Sequence, residues 1–169
     1  MKHICGPQSR SSLSNVQSGD VQPNAVDLRL DRVFEISNNE FIIDEESKVH
    51  RGTTELFPDE DGYFVLKPGS YEVVMENIIS VGEHEAGWVI TRSTLNRNDI
   101  FITSGLYDSK YNGAMAGCMH VGSGVAKIKK GTRVGQYLSF DAEMLYGYNG
   151  DYGFNADGTA KAMEAKYHK

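Results

Sequence analysis

Three short stretches of this sequence carry residue types that can bind or attack a phosphorylated ligand. The first is Arg92-Ser93-Thr94. A guanidinium is a planar fork of charge-assisted donors, and two adjacent hydroxyls add small donors, a combination suited to phosphate oxygens. If a short helix starts here, its free backbone N–H groups add to the anion site. The plainer reading is a hydroxyl helix cap beside a surface arginine. The second stretch runs Gly105-Leu-Tyr-Asp108-Ser-Lys-Tyr111-Asn-Gly113. Asp108 falls just past an apolar run, in a Gly-bounded segment that reads as a tight hairpin. A carboxylate there can orient and deprotonate a water for attack on phosphorus. Tyr111 can pack against a sugar face. The alternative is an ordinary Asx turn flanked by a tyrosine. The third stretch, Gly131-Thr-Arg-Val-Gly135-Gln136, is a turn entering a strand. Gln136 can place an amide on a phosphate or simply occupy the strand's polar face. Asp27, on the polar side of the first strand, can hold water around a metal or face solvent.

Other chemistries find little support. His3, His50, His84, His120 and His168 are scattered without ligand spacing, which argues against zinc. No GxSxG and no P-loop occurs. His84 and Glu85, in the loop before Trp88, read as surface residues. Cys118, flanked by Met115, Ala116 and Met119, reads as a buried strand residue. Cys5 and Cys118 are the only cysteines and lack CxxC spacing, so a reducing cytoplasm is expected. Met1 to Asp20 is polar with no apolar h-region, so no signal peptide is read; no run elsewhere is long enough to span a membrane. A net charge of −6 leaves no uniformly basic surface for a nucleic-acid polymer, though a small anionic ligand needs only a local nest of donors.

The elements that must position these residues come in short apolar bursts separated by turn chemistry. Val26 to Leu30, continuing to Val33 and Phe34, alternates as a half-buried strand does. Asn38 to Gly62 is polar and acidic, a loop or loose hairpin around Phe41 to Ile43. Further strands are expected at Phe64 to Leu66, Tyr71 to Met75, Ile78 to Val81, Trp88 to Ile90, Ile100 to Thr103, Ala114 to Val121, Val125 to Ile128 and Val134 to Phe140. Only Thr94 to Asp99 suits a short helix inside the domain. Many short strands with frequent turns place the 169-residue chain in the all-β class, as a sandwich or jelly roll. A polar segment (1–20) precedes the β domain (21–144). A Gly- and Tyr-rich C-terminal arm (145–169) follows, expected to be mobile, with a weak helix at Ala160 to Tyr167.

Taken in order along the chain, these stretches resemble the motifs of the dCTP deaminase/dUTPase superfamily. Gln22 to Leu30 resembles the first motif, and Arg92-Ser-Thr-Leu95 followed by Arg97 resembles the second. Gly105 to Gly113, with Asp108, Tyr111 and Gly113, resembles the third, and Gly131 to Gln136 the fourth. Tyr148 to Phe154 is similar to the C-terminal arm. The resemblance implies a distorted jelly-roll (β-clip) domain forming a homotrimer with active sites at subunit interfaces. It implies hydrolysis of Mg²⁺-bound dUTP to dUMP and pyrophosphate, with Asp108 activating the water that attacks the α-phosphorus. By position, Arg92, Ser93, Thr94, Arg97 and Gln136 would contact the nucleotide, chiefly its phosphates, and Asp27 would touch the metal through water. Tyr111 would lie against the deoxyribose, and Tyr152 or Phe154 of the arm would stack on the base. The deaminase branch needs a glutamate ten residues after the aspartate; here that position is Cys118, and no Glu or Asp occurs from Ser109 to Ser139. A dUTPase on a deaminase-like scaffold is therefore expected. The alternatives are a dCTP deaminase, a triphosphatase for dCTP or a modified pyrimidine nucleotide, and a non-catalytic nucleotide-binding trimer.

Overall fold

A computed structural model describes residues 1–168; Lys169, the last residue of the arm, lies outside them. Twelve strands form in chain order: β1 (Ser12–Leu13), β2 (Val26–Ile36), β3 (Ile42–Ile43), β4 (Lys48–Val49), β5 (Thr53–Leu56) and β6 (Tyr63–Leu66), then β7 (Gly69–Ser80), β8 (Glu85–Thr91), β9 (Ile100–Thr103), β10 (Asn112–Val121), β11 (Ala126–Lys129) and β12 (Arg133–Asp141). One α-helical turn, α1 (Ser93–Asn96), precedes β9, and a 3-10 turn spans Ala165–His168. The fold is all-β, as the strand pattern requires.

The main sheet runs β8-β12-β2-β7-β10-β9, with β1 paired to β7 and β5 to β2. Its two end strands also meet. The Thr91 hydroxyl donates to the Ile102 carbonyl (3.0 Å) and accepts from the Ile102 N–H (2.6 Å), and Gly87 bridges to Tyr107. The sheet thus curls into a barrel-like form, which leaves few free edges. Val26, Leu28 and Leu30 point inward, and all are fully buried. A register shift between Leu30 and Arg32 inserts one residue, so the inward face resumes at Val33 rather than at the next even position. They meet Val73, Met75, Ile79, Met115, Met119 and Tyr137 in one apolar core.

β7 is a single strand where two were expected. The polar Glu76-Asn77 pair sits inside it because Asn77 is buried and donates its amide to the Ser14 carbonyl at 2.8 Å. The N-terminal segment therefore completes the strand rather than trailing from it. Its main anchor is Glu85, which corrects the surface reading: the side chain is 1% exposed. Lys2 Nζ, Ser9 Oγ, Ser11 Oγ and the Arg10 and Ser11 N–H groups all donate to its carboxylate. Burial alone would push this carboxyl up, but the donors, Ser11 foremost, outweigh it and hold it down at about 2. His84 stays exposed with φ 58°.

The acidic 38–62 region contains the β3–β4 hairpin, as its Phe41 to Ile43 burst suggested, and also β5, whose pairing with β2 the sequence did not signal. The C-terminal arm is packed. Tyr167 and Tyr152 cover a second apolar cluster of Phe34, Val74 and Ala114 on the outer face of the sheet. Glu164, fully buried, accepts hydrogen bonds from the N–H groups of Ala114 (2.6 Å) and Gly153 (3.0 Å) and pairs with His168 (2.9 Å). The helix expected at 160–167 is reduced to the 3-10 turn. Among the described residues, no helix is long and apolar enough to cross a membrane.

Candidate active site

Arg92 is the N-cap of α1, in extended conformation, with no side-chain cap bond. Ser93 and Thr94 lie within the first turn, exposed, so the hydroxyl-cap reading does not hold. Arg92 instead turns toward β2. Its Nη2 lies 3.4 Å from Asp27 Oδ2, and its Nη1 donates to the Arg133 carbonyl at 3.3 Å. Three more donors converge on Asp27: Gln136 Nε2 at 3.0 Å, Arg133 Nη1 at 3.3 Å and Gln22 Nε2 at 3.2 Å. The β2–β12 register makes this possible by setting Gln136 directly opposite Asp27.

Asp27 is fully buried. The alternation that would turn it to solvent is overridden because a buried carboxylate is tolerated when paired and hydrogen-bonded. Two guanidiniums over one carboxylate leave a net positive charge, and both remain partly accessible, Arg92 at 28% and Arg133 at 35%. Such a cluster can hold an anion, with Asp27 as its internal counter-ion. Arg133 and Gln22 were not singled out in the sequence; the register of β2 and β12 brings in Arg133, and the turn closed by the Gln22 N–H on the Ala25 carbonyl brings in Gln22. Arg97 closes α1 as an exposed residue, with its N–H on the Ser93 carbonyl.

Asp108 belongs to a separate cleft. The hairpin predicted before β10 forms, closed by the Tyr111 N–H on the Asp108 carbonyl at 3.0 Å, with Lys110 in left-handed conformation (φ 68°). The turn is thus closed through the backbone and leaves the Asp108 carboxylate exposed. It lines a cleft of about 480 Å³ with Leu106, Ser109, Phe140 and the arm's Leu145 and Tyr148. Trp88 packs on Phe140, with the ring centroids 5.1 Å apart. None of the residues lining this cleft belongs to the Asp27 cluster.

Tyr111 is buried and donates its hydroxyl to the Ala114 carbonyl at 2.9 Å; its ring lies 5.4 Å from Tyr107 and 5.2 Å from Tyr148. Burial pushes both the Tyr107 and Tyr111 hydroxyls well above the usual phenol range, so they act as neutral donors. A second cavity, of about 290 Å³, opens beside them, walled by Tyr107, Tyr111, Tyr148, Tyr152 and Tyr167. Of the two arm aromatics expected to stack on a base, Tyr152 lines this cavity, whereas Phe154 packs on His168 at 5.1 Å. Gly113 lies in close quarters here: a Cβ on it would stand 2.7 Å from Gly153 Cα and from the Tyr111 hydroxyl. Cys118 sits on β10, half-buried, and burial pushes its thiol up. Its partner across the ladder is Glu72.

No group of three or more His, Cys, Asp or Glu side chains able to hold a metal occurs among the described residues. A resident multi-ligand cage is therefore not built here. Mg²⁺ commonly binds through one or two carboxylates plus substrate phosphates and retained waters; Asp27, buried with its oxygens already taken by four donors, is open to that mode only once Arg92 and Arg133 turn to a phosphate.

A barrel-like β domain that sets an arginine cluster, an exposed hairpin carboxylate and a tyrosine-walled cavity around one sheet defines the class. Residues 7–141 match the family model described as dCTP deaminase-like, and the chain belongs to that family. The match ends with β12, leaving the arm outside it. The chain is 30% identical over 142 residues to a probable deoxyuridine 5'-triphosphate nucleotidohydrolase of Halobacterium salinarum, covering 81% of this chain and 85% of that protein. It is also 30% identical over 148 residues to a dCTP deaminase, dUMP-forming, of Parafrankia sp., covering 82% of this chain and 74% of that one. Among solved structures, the 2'-deoxycytidine 5'-triphosphate deaminase of Agrobacterium tumefaciens shares the fold at TM-score 0.58 and 16% identity, over 76% of this chain and 43% of that one.

Proposed function

We propose that the protein hydrolyses dUTP to dUMP and pyrophosphate, as the names of its relatives suggest for a hydrolase of this family. The observation that carries the reading is Asp108: a carboxylate left exposed by its turn, in a cleft walled by the arm. A water held by Asp108 loses its proton to the carboxylate as its oxygen bonds to the α-phosphorus. The bond from that phosphorus to the bridging oxygen breaks, and pyrophosphate leaves. Arg92, with Ser93, Thr94 and Gln136, binds the phosphates, and Arg97 stands beside them. Arg92 and Arg133 exchange part of their contact with Asp27 for phosphate oxygens. Asp27 is the residue that would hold the hydrated magnesium ion, which supplies charge neutralisation on the triphosphate. In this reading the chain forms a homotrimer in which the Asp27 cluster of one subunit meets the Asp108 cleft of another. Tyr111 supports the sugar and Tyr152 the base. Residues 145–169 act as the arm that excludes water. The free thiols and a nucleotide substrate fit a cytoplasmic setting.

The test is a panel of deoxynucleoside triphosphates with Mg²⁺, scored for both pyrophosphate and ammonia. Pyrophosphate from dUTP without ammonia is the expected result. The similarity to a dUMP-forming dCTP deaminase makes ammonia from dCTP the result that would replace this reading with deamination.

A further inference from the structure

The tyrosine-walled cavity contains one carboxylate, and no motif contributes it. Glu72, on β7, lines the cavity together with Tyr107, Tyr111, Tyr152 and Tyr167. It is opposite Cys118 in the β7–β10 ladder, and directly opposed residues put their side chains on the same face of a sheet. The arm fixes its position. Tyr167 donates its hydroxyl to Glu72 Oε1, and Lys166 Nζ donates to Oε2 at 2.8 Å. A carboxylate has about four lone-pair sites, so these two bonds leave acceptor capacity. The side chain retains 17% exposure.

Flat aromatic walls accept a flat ring, and the remaining polar function there accepts hydrogen bonds. A planar base that presents an exocyclic amino group satisfies both. A base that presents a carbonyl oxygen at the same edge gains no hydrogen bond from the carboxylate, and its binding rests on the ring walls and the phosphates. Carboxylate side chains read cytosine in this way, accepting from its N4 amino group.

Resting on the reading of the site as one for pyrimidine deoxynucleoside triphosphates, we propose that Glu72 is a base-selecting residue that admits 4-aminopyrimidine nucleotides as ligands alongside the uracil nucleotide. Glu72→Gln keeps the shape but offers both an acceptor and a donor, so it should lose the preference conferred by the carboxylate.

The experiment measures calorimetric affinities of dCTP and dUTP, with Mg²⁺, in full-length protein carrying Asp108→Asn to prevent turnover. The ratio of dCTP to dUTP affinity is compared among the Asp108→Asn protein, the same protein with Glu72→Gln, and the same protein with Tyr167→Phe. Tyr167→Phe removes one of the two hydrogen bonds from the arm to Glu72 and leaves the carboxylate in place. The expected result is a ratio about tenfold or more lower with Glu72→Gln and unchanged with Tyr167→Phe. Equal ratios in all three proteins, with both nucleotides binding, would overturn the role of Glu72 alone. An equal fall in both variants would overturn it in favour of simple anchoring of the arm. Binding of neither nucleotide by any of the proteins would remove the pyrimidine-triphosphate reading, and this assignment with it.

Discussion

Asp108 and Asp27 show how the same side chain can meet opposite surroundings. Asp108 stands exposed where a hairpin closes through its backbone, and Asp27 is buried under four donors. Replacing Asp108 with Asn should lower turnover by roughly 10²–10⁴-fold, the range a general base contributes, while leaving nucleotide affinity near its original value. Steady-state kinetics beside calorimetric binding checks this, and retained turnover would show that another group activates the water. Glu85 is a third case, whose role is stability. Its carboxyl is held at about 2 against an ordinary 4.5. Because the folded value is depressed, its contribution is present above the ordinary value and is lost as pH falls from about 4.5 toward 2. Glu85→Gln should unfold at lower urea concentration at neutral pH and show a shallower loss of stability across that acid window. Equal acid sensitivity in the variant and the parent would refute the assignment.

Residues that local chemistry marks could be singled out in the sequence: Arg92, Asp108, Tyr111 and Gln136 stand out by type and by neighbouring glycines or hydroxyls, and their proposed roles rest on that reading. Arg133, Glu72 and Glu164 do not stand out, because each is placed by a strand register or by the docking of the arm, and Gln22 is placed by the turn before β2.

At the scale of elements, strands with strong apolar bursts were read correctly, and β9 (Ile100–Thr103) matches the expected span. Two kinds of element escaped. β5 is polar and edge-like, recognisable only through its partner β2. β7 hides a polar pair that distant chain satisfies. The arm reads as mobile because Gly and Tyr alternate without a period, yet buried Glu164 and Tyr167 fasten it to β10 and β7. Two experiments probe that fastening. Gly113→Ala forces a methyl against Gly153 and Tyr111, and overpacking of this kind costs about 1–3 kcal/mol. Faster proteolysis within the arm than in the parent is expected. Truncation after Asp141 should keep the β-type circular dichroism while lowering the melting temperature and abolishing pyrophosphate release. A truncated protein of undiminished activity would exclude the arm from the site.

For the molecule as a whole, the proposed homotrimer joins the guanidinium cluster of one chain to the Asp108 cleft of another. Sedimentation should give three times the chain mass, and mixing Asp108→Asn with Arg92→Ala subunits should restore part of the activity that each lacks alone. A monomer with full activity would contradict the shared site.

The packing of Trp88 on Phe140 has a practical side. It is the chain's sole tryptophan, and its ring rests on a wall of the Asp108 cleft. The protein therefore carries a built-in optical probe: entry of a nucleotide or movement of the arm over that wall should alter indole emission, allowing rapid-mixing measurements without any attached dye.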